Sequence, residues 1–533
     1  MIATLANSAW LASSVPEYLR FRRALGRVRT EQERVLRGVL RKNQASVFGR
    51  RHGFSALRTV RDYQSRVPLS DYDDYRAAVT RIAAGESKVL TCDRVRLFEP
   101  TSGSSSPVKW IPYTDSLKHE FQRGIRAWVA DLFLHDPELL HGPGYWSVSP
   151  PQTCEEVTPS GIPVGFAHDS EYVGGVQQRL VQSVMAVPSS VRHSPGMEAF
   201  WYTTLRHLVR RADLRLISVW NPSFLTLLAD QLSEHADRLL DDEPTLRPAL
   251  RARTASERHA LLWPHLRLIS CWADGNSGPA ARRLEALFPQ ARIRAKGLIA
   301  TEGFVSLPWE VCGGAVLAVR SHFLEFLPED SVGQADATRP HLAHELERGQ
   351  AYSVVLTTGG GLYRYRLGDL VTVVGRQLEC PIVRFVGRKH VADWCGEKLN
   401  EAQAARIIES AFTARCLTPS FAMIACDTNG AVPNYVLYVE AAASEEELGG
   451  IGASIERALD ENFHYRHARR LGQLGPLRVF AARNAEASYL AACMVRGQRA
   501  GDVKSVALDT RDGWTARFEG HFAGTRTAAG SPS

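Results

Sequence analysis

Lysine is scarce in this chain: of 64 basic residues, eight are lysines and 56 are arginines. A lysine that does fall inside a motif is therefore less easily incidental, and the arginine excess with abundant alanine points to a GC-rich bacterial genome. The nine cysteines include no Cys-x-x-Cys pair, so neither a zinc ribbon nor a disulfide framework is readable, and a reducing, cytoplasmic setting is expected. No apolar run approaches the length of a membrane span. No Lys or Arg precedes Arg20, and Asn7, Ser8, Ser13 and Ser14 interrupt the apolar start, so a signal peptide is not expected. A basic arm is also missing: the net charge of +7 is spread along the chain, which gives no support to nucleic-acid binding. Without a Gly-x-Ser-x-Gly elbow the chain does not read as an α/β-hydrolase, and without a Gly-Lys-Ser/Thr ending its Ser-rich loop is not a P-loop.

What remains is a soluble globular composition, 44% hydrophobic and 23% charged over 533 residues, with room for two to four structural units. Leu19, Leu25, Val28, Val35, Leu36, Val39 and Leu40 predict one or two amphipathic helices within residues 17–48. Ser70 reads as an N-cap before Asp71, Asp73 and Asp74, and residues 115–134 as a helix with Asp115 as its cap. A Pro/Gly-rich passage, 142–165, holds the strand Tyr145–Val148. Residues 198–240 read as helix interrupted by the strand Leu214–Trp220, and Leu266–Trp272 repeats that strand pattern before Ala273, Asp274 and Gly275. A helix at 279–288 and a strand near 291–300 complete an α/β layered pattern. From Glu310 to Val386 short strands lie between Gly and Pro punctuation. Residues 390–533 alternate helix (400–412, 444–463) and strand (435–439, 477–480) as a small α+β lid, with 525–533 unstructured.

Four clusters carry chemistry. A strand-like run, Val95–Phe98, leads into Thr101, Ser102, Gly103, Ser104 and Ser105, followed by Lys109. Such a loop offers amides and hydroxyls to phosphate oxygens, with the lysine as countercharge. The stretch Lys296–Gly303 is an apolar strand ending in Ala300, Thr301 and Glu302, and a carboxylate at that end suits a magnesium ion shared with substrate phosphates. Asp369, after the glycine turn that follows Gly359–Gly361, suits ribose hydroxyls. Lys504 is presented by a turn in the lid. His341 with His344 and His464 with His467 lack further ligands and read as solvated helix faces, and Cys395 has no histidine partner in sequence.

In this order the clusters resemble the auxin-responsive acyl-acid amido synthetases, a branch of the adenylate-forming enzymes. The resemblance is carried by Thr101–Pro112, Lys296–Gly303, Phe323–Pro328, Leu356–Asp369, Arg384–Arg388, Gly396–Glu401 and Gly501–Lys504, in a bacterial rather than plant style. It implies a large N-terminal adenylation domain, 1–387, of β/α layers plus a β-barrel-like subdomain, and a mobile lid, 388–533. The implied reaction adenylates a carboxylic acid with ATP and magnesium and transfers the acyl group to an amine, usually an amino acid. Thr101 to Ser105 would hold phosphates, Thr301 the α-phosphate, Glu302 the metal, and Asp369 the ribose. Ala273, Asp274 and Gly275 would border the adenine, with Ala300 and Arg388 completing the nucleotide contacts. Lys504, Glu302 and Lys109 would be catalytic. The expected state is monomer or weak homodimer, without nucleic-acid or membrane partners. Two departures stand out: Ser106 where the family usually has glycine, and Leu298 where plant members have an aromatic. A thiol acceptor such as coenzyme A, or a non-catalytic nucleotide-binding relative, remain open alternatives. Trp128, Trp146, Phe166, Trp201 and Trp220 are candidate linings of an acyl pocket, with Arg123 or Arg126 for the acid's carboxylate.

Overall fold

The computed structural model describes residues 2–101, 109–147, 156–165, 183–274, 277–329, 339–388, 391–392, 399–430, 432–496, 498 and 503–523. The chain divides into two compact units, residues 1–274 with 284–386, and 275–283 with 387–533.

In the first unit the helix Asp115–His135 carries the core. Leu117, Phe121, Ala127, Trp128 and Leu132 are buried at helical spacing, and Ile2–Ala24 packs along it with Trp10 edge-on to Phe133 at 6.0 Å. The first helix therefore starts well before residue 17. Two polar residues on its buried stripe hide the period: Ser14 is fully buried, and Asn7 donates to the Leu140 and Gly142 carbonyls. Two expected caps also move by one residue. Asp71, not Ser70, caps Tyr72–Ala83 through a reciprocal box with Asp74, while buried Ser70 donates to the Tyr363 carbonyl. Thr114, not Asp115, caps the central helix by accepting from the Leu117 amide, and Asp115 pairs with Arg96.

Among the described residues the first unit has three larger sheets besides the two-stranded hairpin of Ile299–Ala300 and Gly303–Phe304. Val95–Thr101 and Lys109–Thr114 form an antiparallel hairpin extended by Pro163–Val164 and Glu156–Val157. Gly144–Trp146, Leu216–Ser218, Leu268–Cys271 and Arg292–Ala295 form a parallel sheet in sequence order, with helices such as Met197–Val209, Pro222–Glu234 and Ala255–Leu262 in the connections. The third is a seven-stranded antiparallel sheet from Ser306–Trp309 to Cys380–Arg388.

The second unit is a five-stranded mixed sheet with cores on both faces. Along Phe421–Asp427, Ile424 and Cys426 face the helices Glu401–Thr413 and Glu445–Asp460, while Met423 and Ala425 face Tyr489 and Trp514. A further helix, Phe463–Arg470, follows the second of these.

Candidate active site

The candidate residues of the first unit cluster at strand ends and turns. Thr101 and Lys109 are the last register partners of the hairpin, and Ser102, Gly103, Ser104 and Ser105, with Ser106, lie outside the described residues. The Lys109 ammonium stands 5.7 Å over the ring of Tyr72, whose hydroxyl accepts the Trp110 amide at 2.7 Å. Thr301 and Glu302 form the two-residue turn of a tight hairpin in which Gly303 pairs with Ala300 and Phe304 with Ile299. Glu302 is 8% exposed. Burial and the Glu302 carboxylate together push the Tyr365 phenol well up, with Tyr72 and Asp71 adding to the effect. Lys109, Tyr72, Tyr365 and Glu302 thus share one neighbourhood.

Asp369 is 1% exposed and sits on a bulge. Between the Ser353–Leu370 and Val355–Arg366 pairs, one strand advances two residues and its partner four. The excess is absorbed at Gly368, whose φ of 82° favours glycine although a Cβ there would meet nothing within 4 Å. Ala273 and Asp274 follow the strand Leu268–Cys271, and the Asp274 carboxyl is raised by burial against the opposing effects of Arg384 and the Phe385 amide. Gly275 lies outside the described residues, as does the Arg388 side chain. Lys504 belongs to the second unit, where its carbonyl accepts from the buried Tyr489 hydroxyl at 3.1 Å and Val503 is buried beside it.

Sequence reading missed the clip that joins these pieces. The Phe304 amide donates to His322 Nε2 at 2.9 Å, so the ring proton is on Nδ1, which faces Glu120 Oε2 at 3.0 Å. Both Glu120 oxygens also accept the Gly359 amide, at 3.0 and 2.9 Å. The Glu302 turn, the central helix and the Gly359 turn are thereby fixed to one another. A Cβ on Gly359 would lie 2.6 Å from Glu120 Oε1 and from Ser116 Cβ, so only glycine allows this approach. A signal was available: Glu120 falls in the apolar stripe between Leu117 and Phe121–Gly124.

Lys296 opens the Lys296–Gly303 motif without being one of its expected site residues. It is 4% exposed, donates to Ser218 Oγ at 2.6 Å, and lies 5.3 and 5.2 Å from the Trp128 and Trp220 rings. Of the other lining candidates, Trp146 packs edge-on to Trp128 at 5.9 Å, Trp201 packs on Phe224 at 5.2 Å, and Phe166 lies outside the described residues. Leu298 is buried in the main core at 4% exposure. Arg123 donates to the Arg320 carbonyl at 3.0 Å. Among the described residues no group of three or more His, Cys, Asp or Glu forms a metal cage. Glu302 fits the other mode, in which magnesium takes one or two carboxylates and completes its shell with substrate phosphates.

Three family models match the chain: the GH3 family N-terminal domain over residues 18–247, its central domain over 315–388, and its C-terminal domain over 402–508. A probable indole-3-acetic acid-amido synthetase of Oryza sativa subsp. japonica is 25% identical over 517 residues, covering 85% of this chain and 83% of the relative. A jasmonoyl–L-amino acid synthetase of Nicotiana attenuata is 23% identical over 404 residues, covering 68% and 69%. The solved acyl acid amido synthetase AtGH3.15, in complex with 2,4-DB, superposes with a TM-score of 0.82 at 17% identity, covering 95% of this chain and 97% of that one.

Proposed function

The chain belongs to the GH3 family, and on that premise we propose that it is an ATP-dependent acyl-acid amido synthetase acting on a carboxylic acid and an amino acid. The observation that carries the reading is the shared neighbourhood of Lys109, Tyr365 and buried Glu302, with Asp369 on its bulge in the same unit. A carboxylate oxygen attacking the α-phosphorus of ATP meets concentrated negative charge, so fixed cations must stand where that charge develops. Lys109 at the hairpin mouth supplies one, and Lys504 of the second unit supplies another during the first half-reaction. Thr301, beside Glu302 in the turn, contacts the α-phosphate. Glu302 would hold magnesium, which when bound neutralises the departing pyrophosphate. Asp369 takes the ribose, Ala273 to Gly275 border the base, and Arg388 marks the hinge of the lid.

Pyrophosphate leaves with the broken phosphoanhydride bond, and the acyl-adenylate keeps the new acyl–phosphate bond. The amine nitrogen then attacks the acyl carbon, AMP departs, and the amine loses a proton. Exclusion of water between these steps is what a mobile lid provides.

The test is acid-dependent ATP–pyrophosphate exchange across aryl, indolyl and fatty acids, followed by amino acids or coenzyme A as acceptor. Exchange with one class of acid is expected, reduced at least about 100-fold in Glu302→Ala, in line with loss of one electrostatic stabiliser. An amide product with AMP completes the case. Thioester formation in place of amide would replace the acceptor, and ATP binding without exchange for any acid would make the chain a non-catalytic relative and implicate Ser106.

A further inference from the structure

Four indoles gather where the parallel sheet ends. Backbone pairing runs past the strands: Ser147 donates to the Ser218 carbonyl, Val219 to Ser270, Trp272 to Trp220, and Lys296 to Cys271. That continuation fixes Trp146, Trp220, Trp272 and Lys296 at the carboxyl edge, where α/β sheets take their ligands. Trp220 and Trp272 pack at 5.8 Å, Trp146 packs on Trp128 at 5.9 Å, and Trp146, Trp220 and Trp272 all keep exposed surface. The Lys296 ammonium lies between the two pairs.

An ammonium this buried is costly unless an anion meets it, and a neutral side chain of the same length would fill the space without that cost. From the helix Asp115–His135 Lys296 meets Trp128, and from Leu216–Ser218 and the residues beyond it meets Ser218 and Trp220. From Leu268–Cys271 it meets Cys271. Of these only Cys271 titrates, and burial pushes its thiol up to about 12, so it is neutral. Among the described residues no carboxylate pairs with Lys296.

We propose that Lys296 is the anion anchor of the acyl site, taking a carboxylate of a planar acid whose apolar body lies along the tryptophan walls. This rests on the amido synthetase reading above. Burial holds the free ammonium down to about 7, so a bound carboxylate must restore its proton, and affinity for the acid depends on pH.

The experiment measures the apparent KM of the acid and of ATP in the exchange reaction from pH 6 to 8.5, in the native enzyme, Lys296→Met, Lys296→Arg and Ser218→Ala. In the native enzyme the acid KM is expected flat below pH 7 and rising above it by up to about tenfold per pH unit, as loss of one required proton dictates. In Lys296→Met the acid KM rises roughly 10- to 100-fold at pH 6, the range of a charge-assisted hydrogen bond, and its pH dependence disappears. Lys296→Arg keeps the affinity but, being always charged, loses the rise. Ser218→Ala raises the acid KM severalfold, and the ATP KM stays constant throughout, which shows the variants folded. A monoacid and its ring-carboxylated diacid identify the carboxylate: shifts for both place the reacting group on Lys296, and a shift for the diacid alone places the distal one there. An unchanged acid KM and pH profile in Lys296→Met would overturn the proposal while leaving adenylation intact. No acid-dependent exchange in the native enzyme would instead overturn the function it rests on.

Discussion

Buried polar side chains decide most of what single residues do here. Glu120 accepts from the Gly359 amide and faces the His322 ring proton, so Glu120→Ala strands two buried donors. The expected loss is about 2–6 kcal/mol by summing the cost of two unsatisfied groups. Calorimetry should show a lowered melting temperature, and the ATP KM should rise because the Glu302 turn hangs from the same histidine. A second buried histidine works on stability rather than on the site. His259 faces the Leu287 carbonyl through Nδ1, stacks on Phe288 at 4.5 Å, and is brought down to about 4 by burial. The folded state therefore binds fewer protons than the unfolded one. Its contribution is fully present above pH 6.5 and is lost as the pH falls from there toward 4. Between pH 7 and 5 the loss is about 2 kcal/mol. His259→Phe should flatten this acid limb of the unfolding curve, and an unchanged limb would assign the acid sensitivity elsewhere.

At the level of elements, two turns aim the carboxylates. One is the hairpin turn of Thr301 and Glu302. The other is the bulge at Gly368, and comparing it with Gly359 separates two reasons for glycine. Gly368→Ala adds no clash but demands a positive φ, at a cost of about 1–2 kcal/mol, and should raise the ATP KM by re-aiming Asp369. Gly359→Ala should destabilise more, since its new Cβ meets the Glu120 carboxylate and Ser116 at 2.6 Å. Equal melting temperatures for the two variants would remove that distinction. Strands of this kind were legible beforehand wherever apolar residues ran between Gly and Pro. Leu268–Cys271 and Asn434–Glu440 lie within a residue or two of their expected spans, 266–272 and 435–439. The hairpin around Glu302 and the bulge before Asp369 were not, because both depend on pairing partners and backbone dihedrals rather than on local apolar period. Helix Ile2–Ala24 escaped for a related reason: its buried Asn7 and Ser14 look like surface residues in sequence, and the Gly142 carbonyl that accepts from Asn7 lies 135 positions away.

For the whole molecule, the motif order along the chain was the readable part, because family motifs are local strings. What brings them together was not readable. Glu120 and His322 lie 202 positions apart, Glu120 and Gly359 239 apart, and no spacing rule links them. Lys504 stands apart again, in the second unit, with a half-buried side chain on a backbone anchored by Tyr489. Lys504→Ala should lower pyrophosphate exchange by about 100-fold or more, the scale of losing one transition-state cation. Transfer from a chemically prepared acyl-adenylate to the amine should persist in this variant, and its loss would place Lys504 in both half-reactions.

The division of the chain has a consequence for its biogenesis. Residues 275–283 group with a unit whose remaining sequence begins only at residue 387. During synthesis this short piece leaves the ribosome long before its own unit exists, while the first unit is still missing residues 284–386 and, with them, His322 and Gly359. Neither unit can finish before the other has begun, so the order of completion is interleaved rather than sequential. A fragment cut at Val386 would keep the helix Gly278–Leu287 whole but without the unit its first part groups with, and a fragment starting at Gly387 would lack that part.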